Sequence, residues 1–281
     1  MTDREGSVGF CGVDSRIKIA RADVHMWEEP CISGKRGSGT VFFSGCSLGC
    51  VFCQNYEISS GNGGRYVTED ELCDIVLSLQ EKGVHNINFV TPTHYTDSVL
   101  RVLDRIKHKL TVPVVWNTGG YERAETVERL SGYVDIFLPD MKYASSEVSQ
   151  RYSSAPDYFE NASRALLKMF ELAGYPTFGE DGMMKSGVLV RHLVLPSNIK
   201  ESFAVLDFLA KSFDKERLYV SIMRQYFPCH RADEFPEISR KLTSLEYQRV
   251  TEYARGLGIT HGFLQDKDCA DAKYVPPFEI Q

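Results

Sequence analysis

The sequence lacks long apolar runs, an excess of basic residues and an apolar segment near its start. None of its apolar runs approaches the ~20 residues that cross a bilayer as a helix, so no membrane partner is expected. The first residues, 1–6, are polar and include acids, unlike a secretory signal. The 281 residues include 32 Lys and Arg against 38 Asp and Glu, a net charge of −6. This balance argues against nucleic acid as a partner, because phosphate backbones bind to basic surfaces. We expect a cytoplasmic protein.

Three cysteines are grouped closely in the sequence, and no fourth cysteine lies near them. Five of the eight cysteines are scattered, whereas Cys46, Cys50 and Cys53 form a C-x3-C-x2-C pattern. The spacing allows three thiolates to converge on one inorganic centre. A [4Fe-4S] cluster normally takes a cysteine on each iron, so three cysteines leave one iron open. A metal with an unfilled position can bind a substrate, as in catalytic zinc sites.

Two alternative interpretations of the cysteine pattern assign it a metal centre without catalytic activity. The first is a structural zinc site with a distant fourth ligand such as Cys31 or His94. Zinc sites usually have paired C-x2-C or C-x2-C and H-x3-H spacings, and only one C-x2-C occurs here. The second is an iron-sulfur protein that contributes its cluster to a larger complex without catalysing a reaction.

Apolar strand-like runs alternate with helix candidates from residue 40 onward. The runs lack the polar alternation of a one-sided sheet, which is typical of buried parallel strands. Thr68 followed by Glu71 predicts a capped helix start. The repetition predicts an α/β fold whose units curl into a barrel or partial barrel, and six units fit the length. We predict strands over 40–43, 85–90, 112–116, 134–138, 187–195, 218–222 and 260–264. We predict helices over 68–81, 95–108, 122–130, 158–172, 200–213 and 245–257.

The cysteine pattern, with Phe52 before its last cysteine, resembles the radical S-adenosylmethionine (AdoMet) enzymes. Segments 37–46, 52–59, 91–96, 117–121, 139–143 and 189–196 are similar to uncharacterised relatives of pyruvate formate-lyase activating enzyme. The resemblance implies a partial (βα)6 TIM-like barrel and a [4Fe-4S] cluster whose open iron chelates AdoMet. It also implies that the reduced cluster cleaves AdoMet to methionine and a 5′-deoxyadenosyl radical, which abstracts hydrogen.

Partners follow from the same resemblance. The cluster needs a strong electron donor such as flavodoxin or ferredoxin. Little of the chain lies outside the predicted barrel, which favours a bulky substrate such as a loop of a glycyl-radical enzyme. A small-molecule substrate enclosed by residues 232–240 is the alternative.

Ligand contacts are expected at the C-terminal ends of the parallel strands. An Arg at position 191 interrupts an apolar run and needs an acid or a ligand carboxylate as its partner. Asp140 and Lys142 either join the AdoMet site, where the resemblance adds a monovalent cation, or form a weak surface pair. His94 either faces the cluster or caps a helix. We predict AdoMet contacts from Phe52, Gln54, Asn55, Thr91, Thr93, His94, Asn117, Thr118, Asp140, Lys142 and Arg191.

The chain departs from the resemblance in two places. Members of the group usually have further upstream cysteines that can hold a second metal, and here only Cys11 is present. Many radical AdoMet enzymes have Gly-Gly-Glu where this chain has residues 91–94, Thr-Pro-Thr-His. We therefore expect no second cluster and a different backbone contact for AdoMet.

Three segments are predicted. Residues 1–39 form an N-terminal extension (the leader), residues 40–265 the core and residues 266–281 a C-terminal tail. Within the leader we predict a short strand over 17–24 and packing of Trp27 and Pro30 on the core. His25, Glu28 and Glu29 are interpreted as structural or solvated, with substrate contact as the alternative.

Overall fold

The structure, a computed structural model, describes residues 8–266, 269–271, 276 and 278. Its strands are β1 (Lys18–His25), β2 (Ser38–Phe43), β3 (Arg65–Tyr66), β4 (Ile87–Val90), β5 (Val114–Thr118), β6 (Ile136–Pro139), β7 (Thr177–Phe178), β8 (Met184–Leu193), β9 (Tyr219–Met223) and β10 (His261–Leu264). Its helices are α1 (Pro30–Ser33), α2 (Tyr56–Ser59), α3 (Glu69–Glu81), α4 (Thr96–Ile106), α5 (Ala124–Glu128), α6 (Ser146–Ser153), α7 (Tyr158–Ala173), α8 (Ile199–Ser212) and α9 (Ser244–Gly256).

Seven parallel strands form the sheet of a partial barrel. They follow the order β2, β4, β5, β6, β8, β9, β10, and one of the helices α3, α4, α5, α7, α8 and α9 connects each consecutive pair. All residues of β5 and β6 are buried, as expected for strands covered on both faces. The predicted α/β partial barrel with six strand-helix units is confirmed.

The sheet does not close on itself within the described residues. One end is β10, which pairs only with β9 there, and the other end is the leader strand β1 with the two-residue β3. β1 runs antiparallel to β2, with His25 opposite Ser38. The strand predicted in the leader is therefore confirmed, and the partial barrel has an open side between β1 and β10.

The chain turns between β1 and α1 so that Glu28, and not Trp27, enters the interior. Trp27 is 61% exposed and Pro30 is exposed as well, so the predicted packing of these two residues on the core is wrong. Glu28 instead accepts hydrogen bonds from Asn88 in β4 and Asn117 in β5. The leader thus contributes a carboxylate to the inside of the barrel.

Two helices begin with reciprocal caps that fix where they start. The Glu71 N–H donates to Thr68 Oγ1 (3.2 Å), and the Thr68 N–H donates to the Glu71 carboxylate (2.7 Å). Thr243 and Glu246 make the same arrangement before α9. The predicted cap at Thr68 is confirmed. In the described ranges, no helix has the length and apolar character needed to cross a membrane.

Candidate functional site

Three cysteines lie in the loop after β2, and neighbouring elements hold its backbone. The Cys46 N–H donates to the carbonyl of Cys11 in the leader (3.2 Å), and the Val51 N–H donates to the carbonyl of Tyr152 in α6 (2.9 Å). Gly45 has a φ of 89°, and a Cβ there would lie 2.6 Å from the Cys11 carbonyl oxygen. Only glycine fits this position, so the first cysteine is presented by a backbone that the leader fixes.

The three thiols face one another closely enough for their charges to interact. Burial and then the charge of Cys50 raise the pKa of Cys46 to about 12 and that of Cys53 to about 11. Burial also raises the pKa of Cys50, and the ammonium of Lys142 opposes the rise at all three thiols without reversing it. Cys50 Sγ also lies 2.9 Å from Ser153 Oγ. Converging thiols with a cation beside them fit an anionic iron-sulfur cluster, whose potential such contacts tune.

The two residues considered as a distant fourth zinc ligand, His94 and Cys31, have other surroundings. His94 Nε2 lies 2.8 Å from the Ser44 carbonyl oxygen, and Cys31 belongs to a separate core cluster with Ile32 and Val115. Zinc-sulfur bonds of ~2.3 Å would bring the sulfurs about 3.8 Å apart. In the part of the chain that the structure describes, no group of three or more His, Cys, Asp or Glu could hold a single metal ion. A cluster places each cysteine on a separate iron and needs wider spacing.

A buried network of charges lies at the ends of β5, β6 and β8. Arg191 Nε donates to Asp140 Oδ1 (2.8 Å), and Arg191 Nη2 donates to Asn117 Oδ1 (2.7 Å). Lys142 Nζ donates to the other carboxylate oxygen of Asp140. Burial alone would raise the pKa of Asp140, but the charges of Arg191 and Lys142 outweigh burial and lower it. The three charged side chains are only 11–14% exposed, so the alternative of a weak surface pair is wrong.

Most of the predicted ligand residues line one cavity of about 620 Å³. Its lining includes the predicted residues Cys50, Phe52, Cys53, Gln54, Asn55, Asn117, Asp140, Lys142 and Arg191. The leader adds His25, Met26, Trp27 and Glu28, the strand β9 and the loop after it add Met223 and Gln225, and the tail adds Cys269, Asp271 and Pro276. The cavity therefore joins the cysteine loop, the charged network and the leader.

Five predicted residues are not among the described residues that line this cavity: Cys46, Thr91, Thr93, His94 and Thr118. Thr93 Oγ1 donates to Glu122 Oε1 (2.7 Å), a buried carboxylate that also accepts from Trp116 Nε1 (3.0 Å). The loop after β4 is thus held by Glu122. Residues 232–240, predicted as an enclosing segment, do not line the cavity either, and their Ile238 carbonyl accepts from the Tyr226 hydroxyl (2.7 Å).

Two residues that organise the site, Glu28 and Tyr158, were not among the predicted AdoMet contacts. Glu28 was interpreted as structural or solvated, with substrate contact as the alternative, and it lines the cavity. The Tyr158 hydroxyl accepts from the Lys142 N–H (2.9 Å) and lies within hydrogen-bond distance of the Gly119 carbonyl oxygen (2.9 Å). An acid between a strand and a proline was the available signal for Glu28. Nothing in the sequence distinguished Tyr158, at the start of α7, from an ordinary core aromatic residue.

Comparison with known proteins identifies the family. Residues 40–185 match the family model described as the Radical SAM superfamily. The chain belongs to the radical SAM superfamily. Its cofactors are accordingly a [4Fe-4S] cluster and AdoMet, and the protein is an enzyme that uses AdoMet radical chemistry. The residues of the cysteine loop fit that cluster, as described above.

Several relatives are similar over different shares of the chain. An uncharacterized protein, MJ0674, of Methanocaldococcus jannaschii is 30% identical over 262 residues, which are 90% of this chain and 71% of that protein. The 7-carboxy-7-deazaguanine synthase of Methanothermobacter thermautotrophicus is 28% identical over 106 residues, covering 37% of this chain and 41% of the synthase.

Two solved structures of Streptococcus suis SuiB share the fold. SuiB bound to the precursor peptide SuiA has a TM-score of 0.52 at 12% identity, and SuiB bound to S-adenosylmethionine has a TM-score of 0.51 at 15% identity. Each match covers 79% of this chain, but only 46% and 48% of SuiB. This chain thus spans about half the length of the SuiB chain.

Proposed function

We propose that this enzyme holds its cluster on Cys46, Cys50 and Cys53 and binds AdoMet in the adjoining cavity, between the cysteine loop and the charged network. When bound, the reduced cluster and AdoMet supply a 5′-deoxyadenosyl radical for hydrogen abstraction from a substrate. The observation that carries the proposal is the single cavity that joins Cys50 and Cys53 to Lys142 and Asp140.

The charged network provides groups suited to the methionine end of AdoMet. Lys142 donates one of its three N–H groups to Asp140, so its ammonium retains donors for a ligand carboxylate. Asp140 and Asn117 line the same cavity. Phe52, beside the last cysteine, presents an aromatic side chain that we assign to adenine contact or cluster shielding.

A monovalent cation does not belong in this proposal. Both carboxylate oxygens of Asp140 already accept from a cationic side chain, Arg191 on one and Lys142 on the other. A further cation beside them would face two positive charges in a buried environment. The guanidinium and the ammonium occupy the role that the resemblance gave to an ion.

The experiment that tests the cofactor chemistry compares two cysteine variants. Protein reconstituted without oxygen is mixed with dithionite and AdoMet, and 5′-deoxyadenosine is quantified. Wild type and Cys73→Ala, which removes a buried thiol on α3 outside the site, should form it. Cys50→Ala should not. Absence of 5′-deoxyadenosine from wild type with a full cluster would favour a non-catalytic iron-sulfur protein.

For the substrate we propose a polypeptide segment, as for an activating enzyme of the pyruvate formate-lyase kind. The open side between β1 and β10 supports it, because an extended chain can reach the cavity there. The SuiB structure with a precursor peptide lends further support, since a protein with this fold accommodates a peptide. A small molecule is the second candidate, favoured by the tail residues Cys269, Asp271 and Pro276, which line part of the cavity.

Isotope transfer separates these two substrates. Extract of deuterium-labelled cells is divided by ultrafiltration into macromolecules and small molecules, and each fraction is incubated with the reduced, AdoMet-loaded enzyme. Deuterium in 5′-deoxyadenosine from the macromolecular fraction, lost after protease treatment, supports a polypeptide. Deuterium from the small-molecule fraction alone would refute it.

The proposal also needs an electron donor, for which we propose flavodoxin or ferredoxin. The cysteine loop reaches the surface at Gly49, and the neighbouring Phe10 is 72% exposed. Electrons can therefore reach the cysteine loop from solvent at Gly49. Reduced flavodoxin in place of dithionite should support 5′-deoxyadenosine formation, and no turnover with either carrier would exclude both donors.

A further inference from the structure

The leader places two acids, Glu28 and Glu29, away from solvent, and Glu28 is the one that forms an ion pair with the charged network. We propose that Glu28 is a positioning residue for AdoMet, which acts by fixing Arg191 and, through Arg191, the Asp140–Lys142 pair beside Cys50. This inference rests on the proposed function, which places AdoMet against Asp140 and Lys142. If so, the leader, which precedes the cysteine loop in the sequence, also determines how tightly AdoMet binds.

Glu28 is bound on three sides by residues of three different strands. Its Oε1 accepts from Asn88 Nδ2 of β4 (3.1 Å) and from Asn117 Nδ2 of β5 (3.0 Å). Its Oε2 accepts from Arg191 Nη1 of β8 (3.3 Å). The side chain is 10% exposed, so these contacts replace the water that it loses. A surface acid would not need such a set of donors.

Arg191 is consequently held at three of its nitrogen atoms. Nε is bound to Asp140, Nη1 to Glu28 and Nη2 to Asn117. A planar guanidinium with one contact on each nitrogen has its plane and its rotation fixed. Glu28 provides the only one of these contacts that comes from outside the parallel strands and the loops that follow them, so its removal frees one edge of the guanidinium.

Arg191 is connected to the cavity wall beside the cysteine loop by consecutive ion pairs. Arg191 binds one oxygen of Asp140, and the other oxygen accepts from Lys142. Lys142 and Cys50 line the same cavity. The charges from Glu28 through Arg191 and Asp140 to Lys142 therefore alternate in sign. If the guanidinium turns, Asp140 loses a partner and Lys142 changes its direction in the cavity.

The neighbouring acid, Glu29, offers a matched control. It is 7% exposed, and its Oε2 has no hydrogen-bond partner within the described ranges. Its charge acts on Arg191, whose hydrogen bonds in those ranges go to Asp140, Glu28 and Asn117. Replacing either acid by its amide makes the same chemical change at adjacent positions. Only the change at Glu28 places an N–H group against the guanidinium.

The test measures AdoMet binding by anaerobic equilibrium dialysis on the cluster-loaded protein, with iron content and melting temperature for each variant. Loss of a hydrogen bond between charged groups weakens binding by about tenfold or more. We expect that loss for Glu28→Gln, partial recovery for Glu28→Asp, and binding within about twofold of wild type for Glu29→Gln. The reduced-cluster EPR signal of Glu28→Gln with saturating AdoMet should also differ from that of wild type.

A double variant shows whether Glu28 acts through Arg191. Glu28→Gln combined with Arg191→Lys should bind AdoMet no more weakly than Arg191→Lys alone, because residues acting in series are not additive. Additive losses, wild-type affinity in Glu28→Gln, or a loss that follows iron content would each overturn the inference. Wild-type protein that fails to bind AdoMet would instead refute the proposed function.

Discussion

Asp140→Asn tests how much the buried charged network contributes to the free energy of unfolding. The change leaves Arg191 and Lys142 next to each other with one shared anion removed. Breaking a buried ion pair by removing one partner costs about 3–5 kcal/mol, because the remaining charge stays buried. Arg191 keeps its other partners, which places the expected loss near the lower limit, about 3 kcal/mol. For a chain of this size, that loss lowers the melting temperature by roughly 6 °C.

Thermal unfolding of the cluster-loaded protein, followed by circular dichroism, measures the effect. The matched control is Asp70→Asn, since Asp70 is 77% exposed and pairs with Arg105 on the surface of α3 and α4. That variant should lose less than about 1 kcal/mol. Equal and small losses in Asp140→Asn and Asp70→Asn would show that the buried network contributes no more than a solvated pair, and would refute the reasoning.

Three further predictions concern the surroundings of the site. Tyr158→Phe removes the hydroxyl that accepts from the Lys142 N–H and should lower the free energy of unfolding by about 1–3 kcal/mol in urea denaturation; an unchanged midpoint would contradict it. Burial lowers the pKa of His25 from 6.5 to about 4. Because the unfolded chain takes up the proton first, stability should fall as the pH drops from 6.5 towards 4, by about 1–2 kcal/mol at pH 5 after allowance for partial exposure. His25→Gln should reduce that dependence, and an identical pH profile would exclude His25 as its source. Gly120→Ala, whose Cβ would lie 2.0 Å from a backbone oxygen, should destabilise far more than Gly83→Ala, which also has a positive φ but nothing within 4 Å; similar melting temperatures would disprove the clash.

The fold was predictable because a buried parallel strand is a short, continuous apolar run that can be recognised in the sequence. The strands β4, β5 and β6 were predicted with ends that differ by a few residues, and the cap at Thr68 fixed the start of α3. The helix α6 was not predicted, because its polar sequence, SEVSQRYS, has no apolar stripe. It nevertheless supports the cysteine loop, since the Gly49 N–H donates to the Ser153 carbonyl (3.0 Å).

The sequence predicted that a buried charge must have a partner of opposite charge. It did not predict which distant residue the fold would bring close enough to be that partner. The cost of burying Arg191 predicted an acid beside it, and Asp140 confirms this. The second acid, Glu28, lies 163 residues away in the sequence, and no local pattern records such a pairing. His192, next to Arg191 in β8, is by contrast a buried core residue, with Nδ1 2.7 Å from the Met141 carbonyl oxygen. The individual AdoMet contacts stay predictions.

The central claim is that three cysteines hold a cluster with one iron open to AdoMet. Mössbauer spectroscopy of protein reconstituted anaerobically with isotopically enriched iron tests this most directly. With AdoMet added, the signal of one iron in four should shift, and the other three should keep theirs. Four irons unchanged by AdoMet, or zinc in place of iron in the protein as purified without oxygen, would contradict the claim.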